Sequence, residues 1–494
     1  MSNSAPQAQS EPPAVALAAD SPETDKLSRQ SVTVIVTLLV ATFVVILNET
    51  ILNVALPHLM SDLSVNESTV QWLATGFMLT MAVVIPTTGF ILERLSTRQA
   101  FLLAIGLFTA GTALAVVSQG FAMLLVARVI QAAGTAVMMP LLMTTILTLV
   151  PMSKRGMVMG NITIAISVAP ALGPTVSGLI LANFSWRFIF LFVLPIAIAA
   201  MIIGAKFLTN VGETGQQKLD TLSVLLTVPA FGGLVYGLSQ LGNHDAGSTG
   251  VSVAAVTALA IGVVSMLLFV VRQLRLQKHD APLLDLRAFN YRMFTVSVLL
   301  MVVAMLALFG SVILLPIYLQ RVLHVDTLTT GLLLLPGGLA MGLTGPFIGR
   351  LYDKFGPKPL TISGSILMVL SLWQYSMLTD HTELWWIAIV QTVLNVALAL
   401  IFTPAFTNGL NPLPPALYSH GSAIISTLQQ VAGAAGTALL VSIFAIASAA
   451  SGNLVVGTQA AFLTAALIAV VAVILSVMMR RTGDPANAAA AAHH

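Results

Sequence analysis

Gly89-Phe-Ile-Leu-Glu93-Arg94-Leu-Ser-Thr-Arg98 and Gly349-Arg-Leu-Tyr-Asp353-Lys354-Phe-Gly356-Pro-Lys358 are two copies of one pattern, 260 residues apart. Each opens on glycine, places a carboxylate and then a cation four and five residues later, and closes on a second cation. Each follows the second long apolar run of its part of the chain, and Pro57 and Pro316 stand at nearly the same offset. The chain therefore reads as a duplicated unit.

The runs around the repeat are too apolar for a water-facing surface. Of 494 residues, 57% are hydrophobic and 8% charged, and the mean hydropathy is +0.95, whereas soluble domains carry roughly 25% charge. A bilayer core needs about 20 apolar residues per helix. Cutting the chain at charged and Pro/Gly breaks gives fourteen candidate spans, from 31–58 to 457–479, with 220–241 and 250–271 as the seventh and eighth and 359–378 as the eleventh. All but three of the 21 Lys and Arg (Arg128, Arg187 and Arg321) then fall on one side. Short cytoplasmic loops hold such an excess, which orients the protein as a multi-pass chain of the cell membrane with both termini cytoplasmic.

The expected architecture is all-α: a 6+2+6 arrangement of transmembrane helices in two pseudo-symmetric bundles. Residues 1–28, rich in Ala, Pro and Ser, read as a disordered tail and not as a signal peptide. Six spans occupy 29–208, two inserted spans and a charged linker 209–286, and six more 287–482. Residues 483–494 read as a tail ending in a vector scar. A monomer is expected.

Other functions lose their footing on the same residues. There are no cysteines, which removes disulfides and thiolate chemistry. No lysine follows a glycine, so a phosphate-binding loop is absent, and neither His-Glu-x-x-His nor Gly-x-Ser-x-Gly occurs. The net charge of +3 is spread over loops without a basic cluster, which leaves nothing for nucleic acid to bind. No cofactor is expected, and a proton gradient is the expected energy source.

These motifs resemble the major facilitator superfamily, and specifically its fourteen-span drug:proton antiporter branch. The loop motif is well formed at Gly349, Asp353, Lys354, Gly356 and Lys358, and degraded at Gly89, Glu93, Arg94 and Arg98, where Ser96 and Thr97 replace Gly and Arg. Arg128-Val-Ile-Gln131-Ala-Ala-Gly134 is similar to the family's Arg-x-x-Gln-Gly-x-Gly. Ala169-Pro170-Ala-Leu-Gly173-Pro174-Thr-Val-Ser-Gly178 resembles the antiporter signature. The first span departs from the usual Leu-Asp-x-Thr. Here Leu47-Asn48-Glu49-Thr50 moves the carboxylate one position, about 100° around the helix, a variant that resembles the subgroup named for lincomycin-type resistance.

The resemblance implies the major facilitator fold and proton-coupled antiport of small amphiphilic compounds, with a dedicated exporter of an endogenous lipid or metabolite as the alternative. Glu49 is the one acid deep inside a predicted span, and interior carboxylates face cavities or partners. It is the expected proton carrier, or else half of a structural ion pair with Arg128. The resemblance turns Arg128 toward the first helix, with a role in proton exchange. The two loop motifs imply ion-pair latches between helix ends, or simple positive-inside anchors. Pro170, Gly173, Pro174 and Gly178 are expected to seal the interface of the halves.

Gln391 and Asn395 share a helix face with Phe402 and Phe406 further along. This face is assigned to an amphiphile site, with Gln131, Met138, Met139 and Asn161 as the other wall and Asn48 and Asn53 as further polar contacts. Interhelical polar packing explains the same residues. A single embedded carboxylate favours neutral or monocationic substrates over dications.

Overall fold

A computed structural model describes residues 28–210, 220–242, 253–279 and 282–482. The two stretches read as tails lie outside the described residues, apart from Ser28, and so do the side chains of Asn53 and Pro174.

The described residues are helical with no strand. The first group of helices is α1 (Arg29–Leu63), α2 (Glu67–Val70), α3 (Trp72–Val84), α4 (Thr88–Arg94), α5 (Thr97–Val116), α6 (Phe121–Leu149), α7 (Arg155–Leu181) and α8 (Arg187–Phe207). The next is α9 (Thr221–Thr227), α10 (Gly233–Gly242) and α11 (Val253–Leu276). The last comprises α12 (Arg292–Arg321), α13 (Thr327–Phe355), α14 (Pro357–Tyr375), α15 (Leu384–Leu410), α16 (Tyr418–Ser451) and α17 (Leu454–Val477). Local sequence explains the starts: the Ser28, Ser96, Asp326 and Asn453 side chains each accept a backbone N–H of the helix that follows. Short breaks divide single crossings. Pro86 sits in the 3-10 turn Ile85–Thr87 between α3 and α4, and Pro229 in the π-helical turn Val228–Gly232 between α9 and α10.

Among the described residues, thirteen helical segments are long and apolar enough to cross a membrane. The expected span at 359–378 is absent from these thirteen. It forms α14, whose 19 residues begin Pro357-Lys358-Pro359 and end Trp373-Gln374-Tyr375, so its polar ends dilute a short apolar centre. Yet α14 packs along α15 and α17 like its neighbours.

Burial shows what surrounds the bundle. In α6 and α12, 56% of the apolar window is buried, but in α11 only 22%. Ile261, Val263, Val264, Leu267 and Leu268 of α11 all point outward. A belt of this kind is stable only in hydrocarbon, where helices satisfy their own backbone groups. The molecule is a multi-pass membrane protein.

Within the first group α1 lies against α6, α7 and α8, and α5 against α6 and α8. In the last group α12 lies against α15, α16 and α17, and α13 and α14 lie against α15. The two groups meet along two seams. One joins α7 to α13, and the other joins α3, α4 and α6 to α16. The pair α10 and α11 stands outside, with α10 laid on α16 and α3. Its far end is tied down by Asp220, which accepts from Arg272 Nε at 2.7 Å and Nη2 at 2.6 Å. Those bonds hold the Asp220 carboxyl down to about 2. Gln273 completes the tie, donating to Ser223 and accepting from Leu283 N and Leu284 N.

The end of α4 with Arg94, the start of α7 with Lys154 and Arg155, the end of α13 with Lys354, the start of α16 and the segment after α17 with Arg481 are joined by hydrogen bonds at one end of the bundle, called the basic end below.

Candidate functional site

Two places concentrate the polar chemistry that the sequence singled out. The first lies inside the first group of helices. Arg128 of α6 is 1% exposed. Its Nη1 donates to Gln131 Oε1 at 3.1 Å and its Nε to Leu73 O at 3.4 Å, and its guanidinium carbon stands 4.0 Å above the centre of the Phe77 ring. Gln131 Nε2 donates in turn to Thr112 Oγ1 at 2.8 Å, and the Thr112 hydroxyl donates to Phe108 O. This chain fixes which way the Gln131 amide points: its nitrogen is spent on Thr112, so its oxygen faces Arg128. Half-buried Glu49 of α1 feels the charge of Arg128 directly, although no hydrogen bond joins them. Beside it Asn48 is fully buried, with neither side-chain oxygen nor nitrogen partnered. An unpaired buried amide is costly, so it marks a place where polar structure is incomplete.

The second place is the basic end, where the seams close. On the α7–α13 seam a methyl group at Gly349 would overlap the carbonyl of Gly156, and one at Gly160 the carbonyl of Gly345, so the helices touch backbone to backbone. Asp353 accepts from Gly156 N at 3.0 Å and Met157 N at 2.9 Å, capping the start of α7 across the seam. The expected ion-pair latch is thus a carboxylate against a helix N-terminus, where unsatisfied N–H groups attract negative charge. Arg481 donates to Asp353 O, and Lys354 rests over the Phe355 ring.

On the other seam His420 Nε2 and Glu93 Oε1 are 2.8 Å apart, with the ring lying on Gly89. Thr144 and Ser422 hydroxyls meet at 2.9 Å. Buried Arg155 donates to Val150 O and Leu147 O at the end of α6, then reaches across to Asn411 Oδ1 at 2.9 Å and Tyr418 Oη at 3.3 Å. Further in, Thr163 meets Thr403 at 2.9 Å and Gln430 reaches the Met81 sulfur. Most of these cross-group contacts lie at the basic end. Arg98 turns back on its own group, to Ala205 O.

Other residues singled out by sequence lie elsewhere. Gln131 and Met138 are buried inside the first group, Met139 is half-buried, and Asn161 is exposed. Gln391 accepts from Tyr375 Oη at 2.8 Å, and Asn395 donates to Gln391 O, with Gly337 packed on both. Phe402 and Phe406 are also buried. This face is engaged in helix packing here. Gly173, expected between the halves, packs against Thr50 of α1 in the same group. Pro170 is exposed, and Gly178 has open space around it. His420, Arg155, Thr112, Thr144 and Asn411 went unassigned from sequence. A histidine at the head of an apolar run was the available signal for His420; Arg155 was counted only as a loop cation.

This arrangement, two groups of membrane helices packed along two seams, is that of a membrane transporter. Residues 38–437 match the family described as Major Facilitator Superfamily, and the chain belongs to it. It is 41% identical to the uncharacterized MFS-type transporter YcnB of Bacillus subtilis, over 91% of this chain and 95% of that one. It is 40% identical to the lincomycin resistance protein LmrB of Listeria innocua, over 91% and 96%. The fold is also similar to the crystal structure of the human organic anion transporter MFSD10 (TETRAN), at a TM-score of 0.62 and 16% identity, covering 90% of this chain and 99% of that one.

Proposed function

We propose that the chain is a proton-coupled antiporter exporting small amphiphilic compounds by alternating access. It counts α14 as a fourteenth span, has two six-helix bundles at 29–208 and 287–482 with the pair in 209–286 between them, and keeps both termini in the cytoplasm of a cell-membrane monomer. The observation that carries the reading is one half-buried carboxylate, Glu49, on the helix that packs against α6, which carries the buried Arg128. A basic end closed by such contacts is what an outward-facing state requires. The relatives named for lincomycin resistance and for multidrug export support small-molecule export.

Glu49 exchanges its proton, and Arg128, positioned by Gln131 and Thr112, stabilises the ionised form. In liposomes carrying an imposed proton gradient, Glu49→Gln removes uphill accumulation of lincomycin by 100-fold or more and leaves downhill exchange. Uphill accumulation by this variant, with coupled proton flow, would sink the reading.

Charge sets a second expectation. For a neutral substrate exchanged with one proton, about 100 mV supplies roughly 2.3 kcal/mol, enough for a gradient of about fifty-fold. A monocation exchanged one for one moves no net charge. Voltage alone at equal pH should therefore accumulate the neutral compound and leave the monocation unmoved, and efficient voltage-driven transport of a dication would contradict a single-carboxylate mechanism.

A further inference from the structure

His420 is the third residue of α16 and is 2% exposed. Its ring is clamped between two bundles. Nε2 meets Glu93 of α4 at 2.8 Å, while Gly89 of α4 lies so close to Nδ1 that a methyl there would stand 2.6 Å away. Neither Nδ1 nor the second Glu93 oxygen has a partner, and both are buried. The Glu93 side chain is 20% exposed, but one of its oxygens is buried without a partner and the other meets the ring, so a cationic ring would compensate its charge. Imidazole is the side chain whose ordinary titration falls near neutrality.

Other charges near the pair are already engaged or come from one side. Arg94 follows Glu93 on α4 and has a partner of its own. Lys154 and Arg155 precede and open α7. Arg155 is spent on Leu147, Val150, Asn411 and Tyr418. The short turn Leu286–Asn290 brings Arg287, which is paired with Asp285 at 2.7 Å. Arg292 opens α12 and Arg480 follows α17. Elements α3 and α15 carry no charged residue, α10 brings only Tyr236, and Arg128 lies toward the other end of α6. On α16 itself the titratable neighbour is Tyr418. Among these, Glu93 is the carboxylate that touches the ring.

We propose that Glu93 and His420 form a second proton-binding site, separate from Glu49, which holds a proton while the basic end is closed and gives it up when that end opens. The inference rests on the alternating-access reading. On opening, the ring and the carboxylate part and both regain water. Uptake and release face the same side of the membrane, so this proton is not transported; it biases the access equilibrium. The sign follows from linkage: the closed state binds the proton more tightly, so its advantage is full at low pH and is lost as pH rises. Acidification at the basic end thus holds the transporter shut there.

The absence of cysteine makes the test direct. Cysteines replacing exposed Met152 and Pro359 carry spin labels across the basic end, in full-length protein in nanodiscs, and the two-distance distribution is read from pH 5.5 to 8.5. A Glu49→Gln background removes the first proton site. There the closed-to-open ratio should rise as pH falls, by at most about tenfold per unit for one proton. Adding His420→Gln, which keeps a side-chain N–H for Glu93 but cannot titrate, should lower the slope of the response. Equal pH dependence with and without His420→Gln would overturn the second site while leaving alternating access intact. A single distance at every pH, in the parent as well, would overturn both.

Discussion

The two seams do the same mechanical task with different chemistry. At α7–α13 the carboxylate of Asp353 meets backbone N–H groups, partners that never change charge; at α4–α16 Glu93 meets a histidine, a partner that can. The difference follows from the two copies of the loop motif. Gly356 has φ +78°, a conformation that side chains resist, and it turns the chain between α13 and α14. The equivalent Ser96 has φ −60° and closes a capping box with Gln99 at the start of α5. The degraded copy has exchanged a strained glycine turn for a helix cap, and its longer acid reaches a side chain on another helix.

That contrast can be broken most sharply at the glycines. Gly160→Leu would drive a side chain into the carbonyl of Gly345 and force α7 from α13, so transport should fall by at least 100-fold and the labelled distance should lengthen. Gly178→Leu on the same helix meets open space and should transport normally. If both variants behave alike, backbone contact is not what closes the seam.

Asp353→Asn comes next. It removes charge from two hydrogen bonds to a helix start, an effect of about 1.5–3 kcal/mol, and should shift the labelled population toward the open form by at least about tenfold. An unchanged population leaves the Asp353 loop only an anchoring role. Exchanging the turn residues should then separate the copies in thermal unfolding. Gly356→Ser imposes backbone strain of about 1–3 kcal/mol, whereas Ser96→Gly costs only a few tenths; equal losses would refute the assignment of cap and turn.

The smallest effect is a pH comparison. With its carboxyl held near 2 by Arg272, Asp220 stays ionised on both sides of neutrality, and its stabilising contribution is lost only as pH falls through the range between about 2 and the ordinary carboxylate value. A fluorophore pair on α9 and α11 should therefore report no change from pH 8.5 to 5.5, where the α4–α16 seam is expected to respond.

Helical class and membrane residence were legible because hydropathy and charge act locally: a run such as 292–321 needs no partner to declare itself. The span at 359–378 tested the limit of that reasoning, since α14 owes its place to packing on α15 and α17 rather than to its own composition. The Arg128-x-x-Gln131 motif was legible as a resemblance, and the structure adds the Arg128–Gln131–Thr112 chain of hydrogen bonds that no motif contains. Gln391 and Asn395 show the opposite failure. Their shared face was readable, but whether it met a cavity or another helix depended on Tyr375 and Gly337, distant in sequence. His420 was invisible as a partner of Glu93 for the same reason.

The glycine contacts between α7 and α13 carry one more implication. Interdigitated side chains must leave their rotamers before two helices can move, and each departure adds to the barrier. At Gly160 and Gly349 the nearest atoms across the seam are backbone, so there is no interdigitated side chain to disengage there and the helices can roll as on a bearing. If the two groups rock against one another as proposed, resistance to that motion resides in a few discrete polar contacts at the basic end.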